Sequence, residues 1–140
     1  MRQLRERLGR LLFGAVTYAA RRRARAVQRL AAAAGAGRPV TALVDTGTRV
    51  DTGAWGCRAR LCVCLLADEL LLLAPGRRAY VERTGRPELA ASLYNAVTGE
   101  LVLAPANGLR QRTVRVSPVD GYAILRWALD GKTEREVKHA

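Results

Sequence analysis

The sequence predicts an α+β fold, in which a small antiparallel β-barrel or strongly curved sheet of about six to seven strands is closed by a C-terminal helix and preceded by a long basic N-terminal helix. The most apolar segment, Leu61 to Pro75, is interrupted only by Asp68 and Glu69, which predicts two strands joined by a tight turn. A proline-free stretch rich in Ala, Leu and Arg, residues 2–34, predicts the first helix. Ser117-Pro118 predicts the start of the last helix, with the serine as its N-cap.

Basic charge is concentrated at the N-terminus. The 140-residue chain carries a net charge of +12. Residues 1–38 contain ten Arg and a single acid, Glu6, whereas the rest of the chain is nearly balanced. Such asymmetry predicts an anionic partner for the N-terminus. We therefore divide the chain into a basic amphipathic helix with a Gly/Pro linker, a β-rich domain, and a charged, frayed tail, at residues 1–38, 39–131 and 132–140.

The apolar residues of the N-terminal helix do not keep to one face. At about 100° per residue, the first half places an apolar stripe opposite a row of arginines. The stripe consists of Leu4, Leu8, Leu11, Leu12, Ala15 and Ala19, and the row of Arg2, Arg5, Arg7 and Arg10. Beyond Ala20 the stripe rotates, so that Arg22 and Arg29 point where Leu4 and Leu11 pointed. We therefore expect a break near residues 18–23, or a partner that meets only the first half.

Three kinds of partner suit this helix. In the first alternative, the helix packs on its own domain or on a second copy, which would make a homo-oligomer. In the second, it lies in a membrane interface, with Leu and Phe13 in the lipid and Arg on phosphate headgroups. Nucleic acid is the less favoured third, since Arg-rich segments also bind it. A mitochondrial-type presequence, which is Arg-rich and acid-poor, stays open. A secretory signal peptide is disfavoured, because the apolar run from Leu11 to Ala20 is followed by Arg21-Arg22-Arg23 rather than by a neutral cleavage region.

The cysteines and the single histidine argue against a catalytic or metal site. Cys57, Cys62 and Cys64 are odd in number and crowded together, which predicts reduced, buried thiols and a cytoplasmic setting, with peripheral attachment to the inner face of the membrane as an option. His139 is the only histidine and lies beside the C-terminus, so a His-based catalytic triad is not expected. We therefore predict no enzyme, no cofactor and no metal.

An Asp-Thr-Gly triplet offers one remote enzymatic alternative. The run Ala42-Leu43-Val44-Asp45-Thr46-Gly47 resembles the signature of retroviral-type aspartic proteases, in which each half of a dimer supplies one such Asp. That resemblance implies a hydrolase that uses Asp45. A second triplet follows at residues 51–53, and Asp and Gly are the commonest turn residues. We favour the interpretation that both triplets are turns at strand ends.

Period-two alternation from Trp55 onward predicts the strands of the domain. Four consecutive leucines, residues 70–73, predict a strand that is buried on both faces. Residues 111–116 alternate as a solvent-faced strand. On the first strand of the hairpin, one face carries Ala59, Leu61, Val63 and Leu65, and the other Arg58, Arg60, Cys62 and Cys64. For the C-terminal helix, which Gly131 is predicted to end, the expected apolar face consists of Val119, Tyr122, Ala123, Leu125, Ala128 and Leu129.

This order of elements resembles the bacterial pleckstrin-homology-like domains of the PH or GRAM type. The resemblance covers Val40 to Leu129 and rests on the Leu61–Ala74 hairpin, the turn region at residues 94–101 and the Ser117-capped helix. It implies a curved seven-strand barrel whose C-terminal helix plugs one open end, and a module that binds lipid headgroups or proteins, often as a membrane adaptor or oligomerisation unit. The basic turn Arg77-Arg78 lies where a contact with a headgroup would be physically sensible.

The sequence therefore predicts a non-enzymatic, PH-like adaptor that its Arg-rich N-terminal helix tethers to an anionic membrane surface or to a protein partner. The alternative is a soluble self-associating scaffold without a membrane role. The residues predicted to contact the membrane or another anion are Arg2, Arg5, Arg7, Arg10, Arg21, Arg22, Arg23, Arg77 and Arg78.

Overall fold

In the described residues, seven strands follow one another between an N-terminal and a C-terminal helix. The computed structural model describes the backbone of residues 2–52, 58–103 and 111–139, and the side chains of residues 17–52, 58–103 and 111–130. A 3-10 turn at Arg86–Leu89 follows the fourth strand. The elements are α1 (Arg2–Ala34), β1 (Ala42–Asp51), β2 (Arg58–Leu65), β3 (Glu69–Ala74), β4 (Tyr80–Gly85), β5 (Leu93–Asn95), β6 (Glu100–Leu103), β7 (Arg112–Arg115) and α2 (Pro118–His139).

The strands form two antiparallel sheets rather than one barrel. The first sheet has the order β1-β2-β3-β4 and the second the order β5-β6-β7. The α+β class is confirmed, but the predicted closed barrel or single curved sheet is wrong. The two sheets meet where β7 approaches β1, and the backbone N–H of Arg115 donates to Thr48 Oγ1 there at 2.9 Å. No backbone ladder joins β1 to β7 in the described strands, and β1 is bulged between Asp45 and Arg49 at this point.

The inner core lies between the two sheets and α2. Alternation along β2 and β3 sends Leu61, Val63, Leu70 and Leu72 to the inner face of the first sheet. They pack in one cluster with apolar residues of the second sheet and of α2. Those residues are Leu101, Leu103, Val114, Ile124, Trp127 and Ala128. The Leu61–Pro75 hairpin is therefore the central piece of the fold, and α2 covers it.

The outer face of the first sheet is covered by the second half of α1. Cys64 and Leu71 face outward and are fully buried beneath Ala31 and Ala34 of the helix. The small alanines let the helix approach the sheet closely, so that their contact leaves little void. Both faces of β3 are thus buried, as its four consecutive leucines predict.

The first helix is continuous, contrary to the break expected near residues 18–23. The rotation of the apolar stripe instead reflects that the second half of the helix packs on the sheet through a different face. Val27, Ala31 and Ala34 are spaced for one helical face, and that face packs on the sheet. The contact with the domain is therefore made by the second half of the helix, whereas most of the predicted leucine stripe lies outside the residues whose side chains are described.

The second helix begins as predicted but presents a different face. The backbone N–H of Asp120 donates to Ser117 Oγ at 3.4 Å, and Ser117 Oγ donates to Asp120 Oδ2 at 3.0 Å. Val119 and Tyr122, expected in the core, are 80% and 53% exposed. Leu129, expected there as well, is 52% exposed, while Ala128 and the partly buried Leu125 do pack on the core. The helix also continues past the predicted end at Gly131 to His139.

A close approach at Gly121 determines which face of α2 turns inward. A Cβ atom on Gly121 would lie 2.5 Å from Cε2 and 2.6 Å from Cδ2 of Tyr94. The hydroxyl of Tyr94 donates to the carbonyl of Val116 at 3.0 Å, and its ring meets that of Tyr122 edge-on at 5.2 Å. Because the ring is held at both places, only a glycine allows the helix to lie against β5 in this rotation.

The substitution G121A tests this packing. In an exposed helix, alanine in place of glycine would stabilise by about 1 kcal/mol. Here we expect the free energy of unfolding to fall by about 1–3 kcal/mol, because the Tyr94 ring must move. Urea denaturation of the wild type and the variant measures the difference. The matched background is Y94A, in which the same G121A change should be neutral or stabilising; equal destabilisation in both backgrounds would contradict the account.

Candidate anion-binding surface

The side of α1 that faces away from the sheet is strongly basic. Arg21, Arg22, Arg25 and Arg29 are all exposed there, and we call these four residues the basic face. Together with Tyr18 and Ala26 they line a groove of about 310 Å³. At about 100° per residue they lie opposite Val27, Ala31 and Ala34, which pack on the sheet. Packing of the helix therefore determines that this face points to solvent.

The charge of the basic face is not balanced by nearby acids. Within the described part of the chain, none of its four guanidinium groups pairs with a carboxylate. Arg21 and Arg25, and likewise Arg25 and Arg29, are four residues apart and repel each other by about 0.2–0.5 kcal/mol per pair. An anion bound along the helix would remove this repulsion, so the face is suited to multivalent anions.

Arg23 is used within the fold and does not belong to the basic face. Its guanidinium pairs with Asp45 Oδ1 at 2.7 Å and donates to the backbone carbonyl of Arg60 at 3.4 Å. These contacts join the flank of α1 to β1 and β2. Among the predicted contact residues whose side chains the structure describes, Arg23 is the one with an ion-pair partner inside the fold.

The other predicted contact residues are placed apart from the basic face. Arg77 and Arg78 are exposed in the turn between β3 and β4, where the backbone N–H of Arg78 donates to the carbonyl of Thr52 at 2.9 Å. Neither lines the groove on α1. The side chains of Arg2, Arg5, Arg7 and Arg10 lie outside the described residues. The structure therefore brings together Arg21 and Arg22 from the predicted set, and adds Arg25 and Arg29, which the sequence already showed to be on the same helix.

A cluster of charged residues holds the C-terminal end of α1 against the hairpin. Arg38 binds both carboxylate oxygens of Asp68, at 2.8 and 3.0 Å, and also donates to Glu69. Arg83 donates to Glu69 Oε1 at 2.8 Å and to the backbone carbonyl of Ala34. The acidic pair that interrupts the apolar segment in the sequence thus anchors the helix, and the orientation of the basic face depends on it.

The two described cysteines are buried thiols. Cys62 and Cys64 lie on the outer face of the first sheet with 2% and 0% of their surface exposed. Burial, followed by the nearby charge of Asp45, raises the pKa of the Cys62 thiol to about 11. The thiol therefore stays protonated at neutral pH, which makes it a poor nucleophile and a poor metal ligand. Cys57 lies outside the described residues.

The Asp-Thr-Gly triplet at residues 45–47 is not a turn at a strand end, and its aspartate is paired with an arginine of α1. It lies inside β1, at the bulge, where Thr46 Oγ1 donates to the carbonyl of Leu61 at 2.8 Å. The interpretation as a turn is thus wrong for this triplet. The Asp45 carboxylate binds Arg23, whereas the chemistry of aspartic proteases needs a second carboxylate that shares its proton. In the described residues no three side chains of His, Cys, Asp or Glu are close enough to hold a metal ion.

A polar cluster at the edge of the core was not visible in the sequence. Arg112, predicted on a solvent-faced strand, stacks over the ring of Tyr80 at 5.2 Å and donates to its hydroxyl. The hydroxyl donates in turn to Glu82, and burial followed by this hydrogen bond raises the pKa of Tyr80. Arg112 Nε lies 3.2 Å from Glu82 Oε2. This contact is an ion pair without a hydrogen bond from Nε, so the hydrogen bonds that link β4 to β7 here run through the Tyr80 hydroxyl.

None of the described helices combines the length and the apolar character that crossing a bilayer requires. Among the described residues, the basic face of α1 is the candidate functional surface, because its four exposed arginines share one side of the helix. Comparison with models of protein families, with curated proteins and with solved structures found no match to this chain.

Proposed function

We propose that this protein is a non-enzymatic adaptor module that attaches to the anionic surface of a membrane through its Arg-rich N-terminal helix. One observation carries the proposal: four arginines without acidic partners share the exposed side of a helix whose opposite side is packed on the domain. A basic helical face attracts anionic lipid, with about 1 kcal/mol for each Lys or Arg near the surface. Four such residues would contribute about 4 kcal/mol.

The architecture supports the PH-like part of the proposal. Seven antiparallel strands followed by a C-terminal helix are the order of elements that the resemblance implies, although the strands form two sheets. The helix contributes Ile124 and Trp127 to the core between the sheets, as a plug at one end of the fold would. Within such a module the sheets act as a rigid support for α1.

The geometry also favours a membrane over a small soluble anion. The basic face extends over more than two turns of α1, from Arg21 to Arg29, and is lined by the 69% exposed ring of Tyr18. Tyrosine is enriched at membrane interfaces, where its ring is apolar and its hydroxyl remains hydrated. A row of charges beside an interfacial aromatic residue matches an extended layer of headgroups. Attachment to the cytoplasmic leaflet, which carries the anionic lipid, follows from this proposal.

Co-sedimentation with lipid vesicles tests the proposal. We expect the protein to pellet with phosphatidylcholine vesicles that contain phosphatidylserine and to remain in the supernatant with pure phosphatidylcholine. Because the attraction is electrostatic, raising the salt from about 0.1 M to about 1 M, which shortens the Debye length from about 10 Å to about 3 Å, should release it. Equally weak binding to both vesicles would refute the membrane role.

A second candidate is a soluble scaffold that associates with further copies of itself. The observation that favours it is a set of exposed apolar side chains on β5, on the turn after it and on α2. These residues are Leu93, Val97, Val119, Tyr122 and Leu129, with 69%, 95%, 80%, 53% and 52% of their surface exposed. A mass above that of the monomer in light scattering without lipid, together with a failure to bind anionic vesicles, would favour this candidate.

A further inference from the structure

Two arginines outside α1 lie on the same side of the first sheet as the helix. In the register of β1 and β2, Arg49 is directly opposite Arg60. Alternation along β2 puts Arg60 on the face of Cys62 and Cys64, which is the face that α1 covers. Both arginine side chains therefore project from the uncovered part of the outer face, beside the helix.

The pairing of Arg49 with Arg60 is electrostatically unfavourable. Like charges that lie directly opposite each other on adjacent antiparallel strands destabilise the sheet. Within the described residues neither guanidinium group forms an ion pair with a carboxylate; Asp45 is bound to Arg23, and Asp51, on the same face as Arg49, is directly opposite Arg58. The pair is thus a second site of unbalanced positive charge, and a bound anion would relieve its repulsion.

The Arg49–Arg60 pair and the basic face keep a fixed position relative to each other, because α1 is anchored on the sheet. Arg23 on the flank of α1 donates to the backbone carbonyl of Arg60 and pairs with Asp45 on the neighbouring strand. Val27, Ala31 and Ala34 bury the same helix against the sheet. The helix therefore keeps one position on the outer face of the sheet, with the Arg49–Arg60 pair beside its flank and the basic face on its far side.

We propose that Arg49 and Arg60 are a second contact for the anionic phospholipid surface, beside the flank of α1. This inference rests on the proposed function and specifies how the domain sits on the bilayer. The helix and the outer edge of β1 and β2 touch the headgroups together, whereas α2 and the second sheet point away. Two contacts on one rigid body bind more tightly than either alone, because the second forms without a further loss of translational freedom.

The test compares single and double substitutions in the full chain. The variants R49Q, R60Q and R49Q/R60Q are titrated with phosphatidylcholine vesicles that contain phosphatidylserine. R126Q is the matched control, because it removes one exposed arginine from α2, on the other side of the fold. We expect affinity to fall about fivefold for each sheet arginine and about 25-fold for the double variant, and less than about twofold for R126Q.

The thermal midpoint of each variant distinguishes a lost contact from a damaged fold. Removing one charge from a repelling cross-strand pair should leave the melting temperature unchanged or raise it. Unchanged vesicle binding of R49Q/R60Q in a protein whose wild type binds would overturn the inference and leave the proposed function standing. Equal losses for R49Q and R126Q would also overturn it, because the effect would then follow net charge. If R49Q/R60Q lowers affinity for duplex DNA but not for vesicles, the surface recognises nucleic acid and the inference fails.

Discussion

The variant in which Arg21, Arg22, Arg25 and Arg29 are all changed to Gln is expected to bind phosphatidylserine-containing vesicles about 10³-fold more weakly than the wild type. Each arginine near an anionic surface contributes about 1 kcal/mol, and a loss of about 4 kcal/mol corresponds to that factor. Gln is chosen because its helix propensity is close to that of Arg. The affinity is measured by vesicle titration at low salt, where screening is weakest.

Substitution is a sharper test than removal of the helix. Deleting residues 1–34 would uncover Cys64, Leu66, Leu71 and Leu73, which α1 buries, so that a loss of binding would be confounded by exposed apolar surface. The four changed side chains are exposed and make no contact with the core. The circular dichroism of the quadruple variant should therefore match that of the wild type, and its melting temperature should be equal or slightly higher, because the repulsion between the arginines is removed. Wild-type affinity of the quadruple variant would refute the role of the basic face.

The arginines in the turn between β3 and β4 serve as a comparison for the four arginines of α1. The variant R77Q/R78Q removes two exposed arginines from the site that the sequence suggested for a headgroup contact. If the membrane contact is made by α1, the affinity of R77Q/R78Q for vesicles falls much less per removed charge than that of the quadruple variant. A loss of about 25-fold, similar per residue to that expected for α1, would place the turn on the membrane as well.

The second large effect is expected at Trp127. We expect W127A to lower the free energy of unfolding by about 3–5 kcal/mol. The indole is 8% exposed, its Nε1 donates to the carbonyl of Leu66 at 3.1 Å, and the guanidinium of Arg86 stacks on the ring at 4.8 Å. Arg86 also donates to the backbone carbonyl of Trp127 at 2.8 Å and to that of Ala67 at 2.9 Å. Truncation to alanine removes the ring that joins α2 to the hairpin turn. Denaturation in urea measures the resulting loss in the free energy of unfolding.

Two control variants, W127F and L129A, separate the contributions of packing and hydrogen bonding to this loss in the free energy of unfolding. W127F keeps most of the ring but leaves the carbonyl of Leu66 without its donor, and an unsatisfied buried acceptor costs about 1–3 kcal/mol. L129A removes a half-exposed side chain from the same helix and should cost much less than W127A. A loss below about 1 kcal/mol for W127A would mean that α2 does not complete the core.

Much of the fold could be predicted from local sequence patterns. The apolar segment at residues 61–75, interrupted by Asp68 and Glu69, forms the predicted hairpin, because alternation and turn residues act over a few positions. The Ser117 cap begins α2 for the same reason. The number of sheets was not predictable in this way, since it depends on whether β1 and β7, which are distant along the chain, form a backbone ladder.

The candidate surface was predictable only in part. The sequence shows ten arginines in the first 38 residues, and thus a basic segment with an expected anionic partner. It does not show that Arg23 and Arg38 are bound by Asp45, Asp68 and Glu69, or that Arg49 and Arg60 lie beside the helix. These relations join positions that are distant along the chain, and no local periodicity reports them.

The sequence by itself determined the two helices, the central hairpin and the basic character of the N-terminus, because each depends on residues within a few positions of one another. Only the tertiary structure decided which faces of the helices turn inward. Gly121 lets α2 lie against Tyr94, so that Ile124 and Trp127 rather than Val119 and Tyr122 enter the core. For α1, burial of Val27 and the alanines against β3 leaves the four arginines of the basic face in solvent, since a helix packed on one side presents the opposite side to its surroundings.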